Sequence, residues 1–250
     1  MKKVIVTGDD GYKAVGLKVL AQALKNDFEV TIIATKEQKS GAGGSVKAYG
    51  EKEWGMEIVD GIKSYWVDGT PADSMEFAQG VFPNGVDYLI SGINWGENIG
   101  LSTFTASGTG GAALRGYSLG IAPKAIIMSW LKPNSENDWW EDKSSEEVEP
   151  FLQYPGGSAL HVVKEAIKNS FWNKDIVNVN FPPNPTQDYK VTKLLKHLPD
   201  FYKYPVIIKE NTYEYDKEVF AYTQQTKENT TLDVGAILSG YISITPVTIE

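Results

Sequence analysis

This sequence predicts an α/β fold with a doubly wound, mostly parallel sheet, and three observations carry that reading. Short apolar runs of strand length recur at 4–7, 28–34, 86–92 and 124–130. Between them, apolar residues repeat at helical spacing. The runs are largely apolar, as strands buried between two helical layers are.

Taken in order, Val4 to Thr7 (VIVT) is the first strand, closed by the turn Gly8-Asp9-Asp10-Gly11. Leu17, Leu20, Ala21 and Leu24 recur at helical spacing in the segment that follows, and FEVTIIA (28–34) is the second strand. Together they make a βαβ unit. Pro71 to Phe82 predicts a helix that starts on a proline, whose fixed φ suits a first turn. VDYLISG (86–92), a glycine-rich helix near 107–119 and KAIIMSW (124–130) continue the alternation. Ligands in such sheets bind outside the carboxyl ends of the strands.

The second half is less regular. NSENDWWEDKSSEEVE (134–149) is acidic and polar and reads as the body of a surface insertion near 131–157. Ser158 is a candidate cap for a helix whose Leu160, Val163 and Ile167 share one face. DIVNVNFPP (175–183) is a strand stopped by proline. Charged and aromatic residues alternate over 189–224, which predicts a β-hairpin region projecting from the sheet, and GYISITPV (240–247) is the closing strand. One domain over 1–250 accommodates every element.

Composition narrows the function classes. A net charge of −8 disfavours a nucleic-acid backbone as partner, since that role needs an electropositive surface. The absence of cysteine excludes disulfides, zinc-thiolate sites and thiol nucleophiles. No apolar run is long enough to span a membrane, and the N-terminus lacks a secretory pattern, so a cytoplasmic location is expected. No G-x-x-x-x-G-K-[ST] run occurs, which removes the P-loop reading.

Three segments can carry chemistry. Asp9 and Asp10 repel each other unless solvent or a cation intervenes, and a hard divalent ion suits such oxygen ligands. The plainer alternative is an Asp-Gly turn with Asp10 capping the next helix. SGINWGENIG (91–100) offers the amide oxygens of Asn94 and Asn98, and ASGTGGAAL (106–114) offers Ser107, Thr109 and backbone N–H groups at a helix start, a cradle for phosphate. Ordinary loop glycines explain both segments equally simply. Residues 108–113 also fit a loose dinucleotide pattern, but they do not follow the first strand, and Lys36 stands where a ribose-binding acid belongs. His161 and His197 lie away from these segments and read as structural. Tyr202, Tyr204, Tyr213 and Tyr215 are candidates either for a base-stacking wall or for packing between hairpins or subunits.

Taken together, VTGDDGY (6–12), KSGAGGS (39–45), DGTPADS (68–74), SGINWGENIG, SGTGGAA (107–113) and GYISITP (240–246) resemble the SurE (survival protein) family of metal-dependent nucleotidases. The resemblance implies a Rossmann-like core, one divalent metal ion (Mg²⁺ or Mn²⁺), and hydrolysis of nucleoside 5′- or 3′-monophosphates by a homo-oligomer, dimer or tetramer. By motif it places the metal ligands on Asp9, Asp10, Ser40 and Asn94, with Asp9 and Asp10 also catalytic. It places phosphate binding on Asn98, Ser107, Gly108 and Thr109. The chain departs from the family pattern at Gly8, where relatives carry asparagine, and at Gly110, where valine is commoner. A catalytically weak or silent nucleotide- or metal-binding member of the same fold is the competing expectation.

Overall fold

The computed structural model describes residues 1–133, 144, 146–168, 175–197, 206–215 and 228–247. Its strands are β1 Lys3–Thr7, β2 Glu29–Thr35, β3 Trp54–Val59, β4 Ile62–Val67, β5 Tyr88–Trp95, β6 Ala125–Trp130, β7 Ile176–Phe181, β8 Tyr189–Val191, β9 Val206–Ile208, β10 Tyr213–Tyr215 and β11 Ile242–Val247. The helices are α1 Val15–Leu24, α2 Pro71–Val81, α3 Gly100–Ala106, α4 Gly108–Ser118, α5 Ser158–Lys168 and α6 Asp233–Leu238.

Nine strands form one sheet in the order β3-β4-β2-β1-β5-β6-β7-β11-β8, and β9 pairs with β10 separately. From β4 through β7 every pairing is parallel, while β3 runs antiparallel to β4 and β11 antiparallel to β7. Successive residues of β1 point to opposite layers. Val4 and Val6 join Leu17, Leu20 and Leu24 of α1 and Val162 and Val163 of α5. Ile5 joins Met75 of α2 and Ala112 and Ala113 of α4 on the other face. Two helical layers on a largely parallel sheet make the Rossmann-like α/β architecture that the alternation predicts.

Winding places the site. The chain runs from β1 outward to β2 and β4, then returns to the far side of β1 as β5. The crevice outside the carboxyl ends of β1 and β5 is therefore the topological switch point, where open α/β sheets bind ligands.

The structure corrects several details. Residues 54–67, to which the sequence reading assigns no element, form the β3–β4 hairpin at the sheet edge, turning on Asp60 and Gly61 with φ of 49° and 79°. That Asp-Gly pair between alternating segments is a hairpin signal. On α5 the buried stripe is Ala159, Val162, Val163 and Ala166, whereas Ile167 is exposed. Ser158 is the first residue of that helix, and its Oγ donates to the Thr186 carbonyl at 2.9 Å. Within the hairpin region, 206–215 form the antiparallel pair, but 189–191 add an edge strand to the main sheet instead. Residues 198–205, with Tyr202 and Tyr204, and 216–224 lie outside the described residues, as do 134–143 and 145 of the acidic segment. Tyr213 on β10 is exposed. After the acidic segment, Tyr154 is buried and its hydroxyl donates to the Pro182 carbonyl. Among the described residues no helix is long and apolar enough to cross a membrane.

Candidate functional site

The site begins where β1 ends. Asp9 and Asp10 are 3% and 7% exposed, so this pair is enclosed rather than solvated. The Lys39 N–H donates to the Asp9 carbonyl at 2.6 Å, tying the 39–45 loop to the turn. A Cβ on Gly8 would stand 3.0 Å from Leu17 Cδ1, so the glycine lets α1 pack close against this turn.

A β-bulge aims Asn94. Along β5 the register against β6 shifts between Ser91, opposite Ile127, and Asn94, opposite Ser129. Three steps on β5 match two on β6, so one extra residue is inserted and the side-chain alternation changes phase. Ile93 and Trp95 consequently face α1, while Asn94 faces α4. Gly92 makes the bulge possible: its φ is +128°, and a Cβ there would lie 2.1 Å from the Met128 carbonyl oxygen.

The start of α4 closes the group. Ser107 caps the helix by accepting from the Gly110 N–H at 3.0 Å. Gly108 brings the backbone against Asp9, because a Cβ on it would lie 2.7 Å from Asp9 Cβ and Oδ2. Thr109 is fully buried; its hydroxyl donates to Asp9 Oδ1 and also lies 3.4 Å from Asn94 Oδ1. Asn94 Nδ2 donates to the Gly96 carbonyl at 2.6 Å, which turns Oδ1 of the same amide toward Thr109. Beside this group Asp10 Oδ2 accepts from the Trp95 N–H at 3.4 Å. Burial pushes the Asp9 carboxyl above its ordinary value, opposed by the Thr109 hydroxyl and by backbone N–H groups that include those of Thr109 and Gly108.

These contacts define an electrostatic demand. Asp9 Oδ1, Asn94 Oδ1 and Thr109 Oγ1 converge, and of these three oxygens the threonine hydroxyl is the one that brings a hydrogen, while backbone N–H groups also reach the Asp9 carboxyl. Oxygen lone pairs gathered in this way suit a positive ion. Two carboxylates with amide and hydroxyl oxygens nearby, and no sulfur or imidazole, form a donor set for a hard divalent cation. Among the described residues no three His, Cys, Asp or Glu side chains gather as a metal-ligand group, so the protein's negative charge here is that of two carboxylates.

The other candidates sit around this centre. Ser40 follows Lys39, and its Oγ accepts from Gln38 Nε2 at 3.0 Å. Its loop is fastened to the start of α4 through the Gly43 N–H, which donates to the Ala106 carbonyl at 3.0 Å. Asn98 is gripped from the opposite side, with Nδ2 donating to Ser129 Oγ at 2.8 Å. Residues 108–113 lie in α4 behind α3 rather than behind a strand, which removes the dinucleotide-fingerprint reading.

Four contributing residues escape the sequence reading. Ser91 Oγ donates to the Thr109 carbonyl at 2.7 Å, and Ser129, Asn178 and Asn180 hold Asn98. Their one sequence signal is polarity inside otherwise apolar strands, as in IVNVNF.

Comparison with known proteins finds relatives across nearly the whole chain. A family model described as Survival protein SurE matches residues 4–200. The 5′-nucleotidase SurE of Methanosarcina acetivorans is 32% identical, across 99% of this chain and 92% of that protein. The 5′-nucleotidase SurE of Clostridium beijerinckii is 30% identical, across 98% and 92%. The crystal structure of the SurE protein from Aquifex aeolicus superposes with a TM-score of 0.78 at 26% identity, covering 99% of this chain and 94% of that one.

Proposed function

This chain belongs to the survival protein SurE family, and from that premise we propose that it is a divalent-metal-dependent phosphomonoesterase. Its substrates are nucleoside 5′- or 3′-monophosphates, and its products are nucleoside and phosphate. The observation that carries this reading is the convergence of Asp9, Asn94 and Thr109 oxygens at the switch point of the sheet. The 5′-nucleotidase names of the relatives support the substrate class.

Asp9, Asp10, Asn94 and Ser40 are the residues that would hold the ion, with Mg²⁺ or Mn²⁺ matching their oxygen donors. A cation bound there supplies Lewis acidity toward a phosphoryl oxygen and neutralises developing charge. The protein's own groups do the rest. Asp9 or Asp10 orients a water in line with the ester oxygen and accepts its proton as the new P–O bond forms; the ester P–O bond breaks, and the leaving nucleoside oxygen takes up a proton from that carboxyl or from solvent. Thr109 holds Asp9 in place. Ser107 uses its oxygen on the Gly110 N–H and keeps its hydroxyl hydrogen for a phosphate oxygen. Asn98, Gly108 and the positive end of α4 complete the phosphate site.

Replacing Asp9 by Asn tests the assignment. Phosphate release from adenosine 5′-monophosphate with Mn²⁺ is expected to fall by at least about 100-fold, and EDTA is expected to abolish the wild-type rate reversibly. Full activity in Asp9→Asn would remove this carboxylate from the reaction.

A further inference from the structure

The two asparagines of β7 have no task in the reading above, yet they are fully buried in a strand whose other residues are apolar. A buried amide is costly unless bonded, so the partners these two have are informative. Asn180 is bonded at both ends of its amide, and Asn178 at its nitrogen, its Oδ1 having no partner among the described residues. Those partners converge on one residue. Asn180 Oδ1 accepts from the Asn98 N–H at 2.8 Å, and Asn180 Nδ2 donates to the Asn98 carbonyl at 3.2 Å. Asn178 Nδ2 donates to the same carbonyl at 2.8 Å. One side-chain amide thus meets both backbone groups of Asn98, as a neighbouring strand would. Around this grip, the Gly96 N–H donates to the Trp130 carbonyl at 3.0 Å and the Gly100 N–H donates to Asp233 Oδ2 at 2.6 Å.

We propose that Asn180, assisted by Asn178, is a positioning residue for the phosphate end of the site, acting through the backbone of Asn98. The inference rests on the phosphate-binding role given to Asn98 above. Loop 96–100 is glycine-rich and has no ladder of its own. Its register comes from β6, β7 and α6, and among the described residues the backbone of Asn98 is held by Asn178 and Asn180 of β7. With the backbone fixed, one hydrogen of Asn98 Nδ2 is spent on Ser129 and the other remains for a phosphate oxygen. The carboxylate pair follows β1 and Asn94 lies on β5 ahead of the loop, tied to it at the Gly96 carbonyl, so the clamp bears on the anion more than on the cation.

A double-mutant cycle with Asn180→Ala and Asn98→Ala tests this, read by KM and kcat for adenosine 5′-monophosphate, by inorganic phosphate binding and by Mn²⁺ binding. Asn180→Ala is expected to raise KM and the phosphate Kd about tenfold, with kcat within about threefold and Mn²⁺ affinity unchanged. In the Asn98→Ala background the same substitution is expected to add less than about twofold, because both act through one residue. A folded Asn180→Ala protein with wild-type KM and phosphate affinity, or two losses that multiply, would overturn the proposal. If Asn180→Ala does not fold, Asn178→Ala removes one of two bonds to the Asn98 carbonyl and is judged by the same cycle. Absence of phosphate release from the wild-type protein would overturn the enzymatic reading instead, and calorimetry with inorganic phosphate still decides the clamp.

Discussion

A threonine hydroxyl has one hydrogen to give, and at Thr109 it goes to Asp9, leaving the nearby Asn94 oxygen as an acceptor. The side chain is fully buried, so no water replaces that bond when it is removed. Thr109→Val is therefore expected to cost about 1.5–3 kcal/mol of stability in metal-free buffer, the range for a hydrogen bond to a charged group. Thr109→Ser, which keeps the hydroxyl, is expected to retain most of it. Urea unfolding checks both, and a Thr109→Val protein as stable as wild type would contradict the geometry. Asp9, Asp10 and Asn94 were legible in the sequence because glycine-bracketed carboxylates and amides at strand ends are local features. The partner of the Thr109 hydroxyl was not, since it depends on how closely α4 approaches β1, which Gly108 permits.

Elements were legible where burial on both faces writes a continuous apolar run, as in β1, β2, β5, β6 and β7. The same logic misses the bulge in β5, because one inserted residue leaves composition unchanged while reversing which face Asn94 joins. It also misplaces the buried stripe of α5, where small Ala159 and Ala166 are buried, Leu160 is partly buried and Ile167 is exposed. Short α6 shows how a single side chain joins elements. Asp233 Oδ2 accepts from the Gly100 N–H at 2.6 Å and Oδ1 from the Leu195 N–H at 3.1 Å. Burial raises its carboxyl above the ordinary 3.8, against the pull of those N–H groups. A raised acid keeps its proton in the folded state after the unfolded chain has lost it, so its contribution to stability is largest below 3.8 and declines as pH rises through the raised value. Asp233→Asn lacks this titration. The stability difference between wild type and Asp233→Asn is thus expected to shrink from acid toward neutral pH in urea titrations; a constant or widening gap would contradict it.

Across the whole molecule, a protein of net charge −8 gathers two carboxylates at the one crevice its sheet topology provides for ligands. The parallel core and its ligand edge followed from the alternation of runs, but the edge strands did not. β3 is carried by a hairpin turn, and β8 is a three-residue strand with no pattern of its own. Segments 6–12, 39–45, 91–100 and 107–113 are far apart in the chain, and the fold ties them together through Lys39, Asn94 and the start of α4. The central claim is that this assembly holds one divalent cation. Anomalous diffraction from crystals grown with Mn²⁺ tests it most directly. The account predicts a single strong peak within about 2.0–2.6 Å of oxygens from Asp9, Asp10, Asn94 and Ser40; Mn²⁺ bound elsewhere, with no peak among these four residues, would contradict it.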